Sequence, residues 1–426
     1  MPRIDQDRGD NAPKQPTERL KDEPNLMVAI LKDLNAIGLV GEDNNGLLTY
    51  VAMSSRKLND PMSVIGRGKT SSGKSYLFDR CAQLMPESEV VSWTTATAAS
   101  VFRLGEEGLR HKIVIGGERR RVQDDASADA TAHIRQMLSE KKITKNVVGE
   151  DKRVQTLRVN GPIAYFETTT VDNVFDEDLN RMIQVWTNET DIQTKRIMMK
   201  LASRYSPDAK MLDIAEIQRR HWGFQDELEI VDVRIPYAEA LAKLLPPTRT
   251  EMRRAITQVL ATIESIVYLN QFSRTVGGGG YLLATYDDYE IARKLLMKPM
   301  HHVIGVGKDF DRVKMLFDKL PKEFDTKLAE SKHEAGNRME TNRMIRRMIQ
   351  YEIVKCVKKG SSHRPARYQK IAQSIEDLVL PSVERLRNFV TMKENRGRTK
   401  ETPEITALNT LRNETMSEST HPESEG

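Results

Sequence analysis

With 426 residues, the chain is too long for one ordinary core and predicts two or three domains. Its 38% hydrophobic and 30% charged residues exclude a wholly disordered polymer, and a net charge of only +5 leaves partner choice to where the charges cluster. Two distant cysteines, Cys81 and Cys356, exclude a disulfide framework and fit a reducing cytoplasm; the longest nearly apolar stretch, Ala255 to Leu269, holds Gln258 and Glu264 and is too short to span a bilayer.

Residues 1–24 read as a flexible tail with almost nothing to bury, and as neither a signal peptide nor a lipidation site. From Leu26 to Leu58, apolar residues at helical spacing, broken at Gly38 and Gly46, predict two short helices over 25–60. Between Pro61 and Tyr205, the runs "MSVIG", "EVVSW", "HKIVIGG", "GPIAYFE" and "RMIQVWT" alternate with helical stretches, which predicts an α/β layer with a mainly parallel sheet. Residues 206–305 turn helical, with "TVGGGGY" as a loop between two clear helices. A smaller basic unit follows over 306–375, and 376–426 read as a helix and then a disordered tail.

The stretch Gly68-Lys69-Thr70-Ser71-Ser72-Gly73-Lys74-Ser75 has the G-x-x-x-x-G-K-[ST] spacing of a phosphate-binding loop. Glycines let consecutive backbone N–H groups turn inward without a Cβ clash, and the helix that follows aims its positive end at the phosphates. On this reading Lys74 binds the β- and γ-phosphates of ATP, the Ser75 hydroxyl ligates Mg²⁺, and Tyr76 follows on the same helix. The strand "SVI" before the loop and the helix "SYLFDRCAQLM" after it supply the required context.

A second apolar strand, "HKIVIGGERR", ends in Glu118, with Gly117 where an aspartate usually precedes it. Glu118 is the carboxylate at the strand tip, expected to hold Mg²⁺ through water, to polarise the attacking water, or both; Asp124 and Asp125 lie just beyond. The strand "GPIAYFETTT" ends in Thr168, Thr169 and Thr170, which either contact the γ-phosphate or follow from β-propensity alone. Arg181 precedes the next strand and reads either as a finger for a neighbouring subunit's γ-phosphate or as a surface partner of Asp176, Glu177 or Asp178.

The motifs "GRGKTSSGKS", "GERRRVQDDASADAT", "RQMLSEKKITK", "GPIAYFETTT" and "FDEDLNR" together resemble AAA+ helicases of the minichromosome-maintenance type, and more closely the related ATPases encoded beside primase-type proteins in phages and mobile elements. The likeness covers residues 25 to 372 and is most specific between Gly66 and Arg196; Gly117 departs from it. It implies an AAA+ core with a parallel sheet, a helical lid, and a homo-oligomer, a hexameric ring, acting on single-stranded or forked DNA beside a primase-type partner. It also implies a hairpin ahead of the sensor strand with Lys152 and Arg153 near its tip on DNA backbone, Lys142 and Lys145 at its entry, and Arg254 as a lid arginine on nucleotide, with Arg249 and Arg253 as competitors.

From Arg338 to Lys370 there are ten Lys or Arg against Glu340 and Glu352. A helix with Arg343, Arg346 and Arg347, a strand, and a basic turn with Lys358, Lys359 and Arg364 returning to Tyr368 predict a winged-helix-like DNA-binding module. His363 lacks a ligand-spaced partner, so no metal is expected there. The functional expectation is an ATP-driven DNA translocase or helicase; the alternatives are an ATP-switched DNA-binding regulator or loader, and an ATPase acting on protein.

Overall fold

The computed structural model describes residues 19–94, 98–119, 125–148, 152–170, 181–207, 213–245, 252–277, 279–303, 310–333, 336–350, 353–360, 364–371, 376 and 379–398. The terminal tails, Asp124, Asp176, Glu177, Asp178, Arg249 and His363 lie outside them. The chain divides into two compact units: residues 1–236 with 247–316, and residues 237–246 with 317–426.

In the first unit, α1 (Leu26–Ala36) starts where the Asn25 side chain accepts from the Val28 amide at 3.3 Å. It leads to α2 (Asp43–Ser54), buried continuously from Asn45 to Ser54, as a helix at the centre of a domain must be. Then follow β1 (Val64–Arg67), α3 (Lys74–Ala82), β2 (Val90–Ser92), α4 (Ala98–Phe102), β3 (Lys112–Arg119) and α5 (Asp125–Glu140). An antiparallel hairpin, β4 (Lys142–Val148) and β5 (Val154–Asn160), comes next and runs directly into β6 (Ile163–Thr169). After β7 (Ile183–Trp186) come α6 (Asp191–Ser203) and α7 (Ile214–Glu227).

The five runs expected as strands form one sheet in the order β2-β3-β6-β1-β7, parallel throughout. Both faces are covered, so these strands read as short apolar runs rather than as alternating patterns. On one face Ile65, Val114 and Tyr165 pack with Ile134 and Met137 of α5; on the other, Phe166 meets Phe78 of α3 edge-on at 5.5 Å. β8 (Asp232–Arg234), α9 (Met252–Leu269), β9 (Tyr281–Leu283) and α10 (Tyr286–Val303) follow in this unit, while α8 (Ala238–Leu244), between β8 and α9 in the chain, belongs to the second. The region read as helical therefore also holds a parallel pair, β8 with β9, whose three-residue strands are too short to show a period. No helix among the described residues is long and apolar enough to cross a membrane.

A chain of buried polar side chains ties α1, α2 and α7 together. Asp33 meets His221 Nε2 at 3.0 Å, His221 Nδ1 meets the Tyr50 hydroxyl at 2.8 Å, and Gln225 donates to Tyr50 and Ser54. Arg56, with no exposed surface, donates to Gln225 at 2.8 Å and pairs with Glu89. Each buried group finds a partner in the next, which is the condition for keeping polar atoms inside. Cys81 of α3 is fully buried, contacts the Gly46 carbonyl, and has its thiol pKa raised by burial.

The division between units falls within α11 (Phe310–Lys319). The second unit continues with β10 (Glu323–Asp325), α12 (Thr326–Lys332), α13 (Arg338–Gln350), β11 (Val354–Lys358), β12 (Arg367–Lys370) and α14 (Val383–Arg398). Its antiparallel sheet has the order β10-β12-β11, with Phe324 stacked on Tyr368 and Met344, Ile345 and Met348 of α13 turned inward. Cys356 of β11 is exposed.

Candidate nucleotide site

At the end of β1 the chain turns through Gly68 at φ 153°, Ser71 at φ 63° and Gly73 at φ 90° before α3 begins at Lys74. Gly68 and Gly73 thus hold conformations that disfavour a Cβ, and a methyl on Gly68 would also press on Ser72 Oγ and Thr187 Oγ at 2.7 Å and Glu189 Oε1 at 2.9 Å. Lys74 is buried, its ammonium donating to the carbonyls of Gly68 at 2.9 Å and Lys69 at 2.5 Å. The charge is held inside the curve of the loop, while Lys69, Thr70, Ser71, Ser75 and Tyr76 are exposed at its mouth and Ser72 is half-buried. The Tyr76 hydroxyl donates to Gly38 O at 3.2 Å, joining the helix after the loop to the bend between α1 and α2.

The loop is braced from the end of β7. The Lys69 amide donates to Glu189 Oε1 at 2.7 Å, and the Thr187 hydroxyl donates to Ser72 Oγ at 2.8 Å. Asn188 donates its amide to Glu42 at 2.6 Å, and burial raises the Glu42 carboxyl above its usual range. The brace lies more than a hundred residues from the loop in sequence, so neither Thr187 nor Glu189 carried a local signal.

The acid strand reaches the loop through a bulge. Ile115 pairs with Phe166, but Glu118 pairs with Thr168, so β3 carries one extra residue over this step. Thr168 also pairs with Gly66, which puts Glu118, Thr168 and Gly66 in one row across β3, β6 and β1 at the edge where the loop begins. Gly116 and Gly117 form the bulge because side chains do not fit. A Cβ on Gly116 would lie 2.5 Å from the Tyr165 hydroxyl, and one on Gly117 would collide with the Thr94 carbonyl. The carboxylate missing from position 117 is thus excluded by backbone, and Glu118, exposed at the strand end, stands at the edge of the loop. Asp125 starts α5; its side chain is outside the described residues.

Thr168 and Thr169 are buried at the tip of β6, and Thr170 is exposed. Just before them stands Glu167, 3% exposed, which accepts from the Tyr165 hydroxyl at 3.1 Å and pairs in register with Ile65. Sequence reasoning passed over this carboxylate; its signal was a lone acid inside the apolar run "IAYFE" of a central strand.

Arg181 is not part of this row. It precedes β7, whose first residue pairs with the first residue of β1, so it sits at the sheet edge opposite the loop. There it lines a cavity of about 150 Å³ with Ser63, Met137, Lys141, Pro162 and Thr257. Arg254 and Arg253 are exposed on α9. Lys152, at φ 58°, and Arg153 are exposed where β5 begins, as are Lys142 and Lys145 on β4. In the second unit Arg343 and Arg346 are exposed on α13, Arg347 is half-buried, and Lys358, Lys359 and Arg364 are exposed around the turn from β11 to β12.

No group of three or more metal-binding side chains forms among the described residues. Mg²⁺ brought in by a nucleotide needs less: oxygen ligands from phosphate and water, plus one or two from protein. The Ser75 hydroxyl at the first turn of α3 and the Glu118 carboxylate meet that need, and the Gly68–Gly73 curve with its enclosed ammonium fits a chain of phosphates.

No curated protein matches the chain. Residues 21–216 match the family model described as the MTBMA_p00010 P-loop domain, a span that takes in the loop, the acid strand, Thr168 and the Thr187–Glu189 brace. This stretch is a P-loop domain of the nucleoside-triphosphatase kind, on an α/β fold with a parallel central sheet.

Proposed function

We propose that the chain is an ATP-hydrolysing DNA translocase of the AAA+ class, a helicase serving replication of a phage or mobile element. The observation that carries this reading is the placement of the β4–β5 hairpin. It is spliced in directly ahead of β6, and the far end of β6 presents Thr168 in the same row as Glu118 and the start of the phosphate loop. A change at the phosphates travels down β6 and then along β5 before it reaches Lys152 and Arg153.

In the proposed cycle Lys74 neutralises the β- and γ-phosphates, Ser75 and Glu118 hold the Mg²⁺ shell, and Glu118 orients the attacking water. Mg²⁺ held by Ser75 and Glu118 would supply neutralisation of the phosphate charge. Arg181, on the opposite edge of the sheet from its own loop, serves the γ-phosphate of a neighbouring chain, so the active form is a ring, a hexamer by the resemblance. Arg254 on α9 would close over the nucleotide as the lid arginine. The order α12, α13, β11, basic turn, β12 supports a winged helix in the second unit, with Arg343, Arg346 and Arg347 facing duplex and Lys358, Lys359 and Arg364 on backbone.

The bulge at Gly117 favours one second reading. With no room for a second carboxylate at the strand tip, slow hydrolysis suits a DNA-binding regulator or loader whose ATP state sets assembly alone. One experiment separates the two: ATPase rate with single-stranded and duplex DNA, and displacement of a strand from a forked duplex, with Lys74→Ala as control. DNA-stimulated turnover with displacement supports the translocase; turnover without displacement supports the regulator; ATP uptake unchanged in Lys74→Ala defeats both.

A further inference from the structure

The helix α6 poses a packing problem. Of residues 191–205, Gln193 alone is buried, hydrogen-bonded to Val40 O, and Lys200 is half-buried; every other side chain is exposed. An isolated helix of this length is marginal in water, and helices in proteins draw most of their stability from a buried apolar face. α6 has such a face, which no described residue buries: Ile197, Met198 and Leu201, with Tyr205 two residues past the helix end, are 40%, 63%, 49% and 90% exposed. Lys195, Arg196, Lys200 and Arg204 flank it, against Asp191 at the first turn.

The same unit carries a surface of opposite character. Residues 226–232 hold Asp226, Glu227, Glu229 and Asp232. Lys21 pairs with Glu227 and Arg234 with Asp232, which leaves Asp226 and Glu229 exposed. Glu229 exchanges backbone hydrogen bonds with the Gln271 side chain, which brings exposed Ile230 and Phe272 near each other, with Lys21 over the Phe272 ring at 5.4 Å; exposed Leu283 lies farther along, opposite Arg234 where β8 pairs with β9.

We infer that α6 of one chain docks on the acidic corner, residues 226–232 with 272 and 283, of a second copy. Two α6 faces cannot cover each other, because their flanking cations repel; cation-flanked and acid-flanked apolar surfaces on one chain complement each other across a head-to-tail contact. Such a contact is heterologous, and it closes into a ring when the rotation per subunit allows. The inference rests on the multi-subunit reading above and names the surfaces that build it. Because α6 starts two residues after Glu189, the contact also joins the neighbour to the brace of the phosphate loop.

Sedimentation velocity across a concentration series tests this on the full chain and two surface variants, Leu201→Asp with Tyr205→Asp, and Glu229→Arg with Ile230→Arg. Wild type is expected to assemble and each variant to stay monomeric. An equimolar mixture is expected to form heterodimers and nothing larger, since one intact pair of surfaces remains. Assembly of either variant as in wild type, or a mixture that stays monomeric, overturns the inference. A variant that loses its thermal transition is replaced by the charge exchange Lys195→Glu with Lys200→Glu, which Asp226→Lys with Glu229→Lys in the same chain must rescue. MgATP binding is read on the same samples: monomeric variants that bind it support the inference, and a wild type that assembles through other faces defeats it while leaving the ring standing. A wild type monomeric up to about 100 µM, near the effective range of weak contacts, defeats both.

Discussion

Removing the Glu189 carboxylate takes away the acceptor for the Lys69 amide while leaving every phosphate-facing residue in place. A hydrogen bond to a charged group contributes about 1.5–3 kcal/mol. Glu189→Ala is therefore expected to weaken MgATP binding roughly ten-fold or more, and Glu189→Gln, which keeps an acceptor oxygen, to recover most of it in a fluorescence titration. Gly117 gives the opposite kind of test. Gly117→Asp restores the usual acidic pair on paper, yet its Cβ meets the Thr94 carbonyl, and overpacking costs about 1–3 kcal/mol. A fall in melting temperature without a gain in hydrolysis is the expected result. At this scale the loop was legible because its spacing is a local requirement of phosphate binding. The reason for Gly117, the buried Glu167 and the brace were not, because each depends on a strand neighbour far away in sequence.

The strands were legible for a related reason: a strand covered on both faces must be a short apolar run, and five such runs became the five strands of the sheet. The bulge that aligns Glu118 with Thr168 was hidden, since register belongs to pairs of strands. The helices around α2 make a testable element of their own. Burial, more than the opposing pull of Asp33, lowers His221 below its ordinary value of 6.5, and the ring faces Tyr50 and Asp33 with Arg220 beside them. The unfolded chain then takes up a proton that the folded chain refuses. Stability contributed by His221 is full above the ordinary histidine range and is lost as pH falls through about 6.5 toward the folded value. Urea unfolding at pH 7.5, 6 and 5 is expected to show a steeper acid loss for wild type than for His221→Gln.

Across the whole molecule the total charge says little, and the placement of charge says more. Lys152 and Arg153 on the hairpin, and Arg343, Arg346, Lys358 and Lys359 in the second unit, are exposed cations on two separate units. If both touch backbone, binding of forked DNA falls steeply with salt, and each lost phosphate contact lowers the log–log slope by about 0.7–0.9. Lys152→Ala with Arg153→Ala is expected to reduce the slope measured on single strands, and Lys358→Ala with Lys359→Ala the slope measured on duplex. An unchanged slope in either case removes that surface from the DNA path. The basic character of the second unit was plain in the sequence because charge needs no neighbour to be seen, whereas the exposed apolar face of α6 emerged only once its burial was known.

The two thiols differ in a way that is useful at the bench. Cys81 is sealed behind the phosphate-loop helix with its thiolate form suppressed, while Cys356 stands open on β11 beside the basic turn. A maleimide fluorophore added to the unaltered protein will therefore mark a single position, next to the surface proposed to meet duplex DNA. Docking of that surface can then be followed by dye intensity with no engineered cysteine, and late labelling of Cys81 would report opening of the P-loop unit.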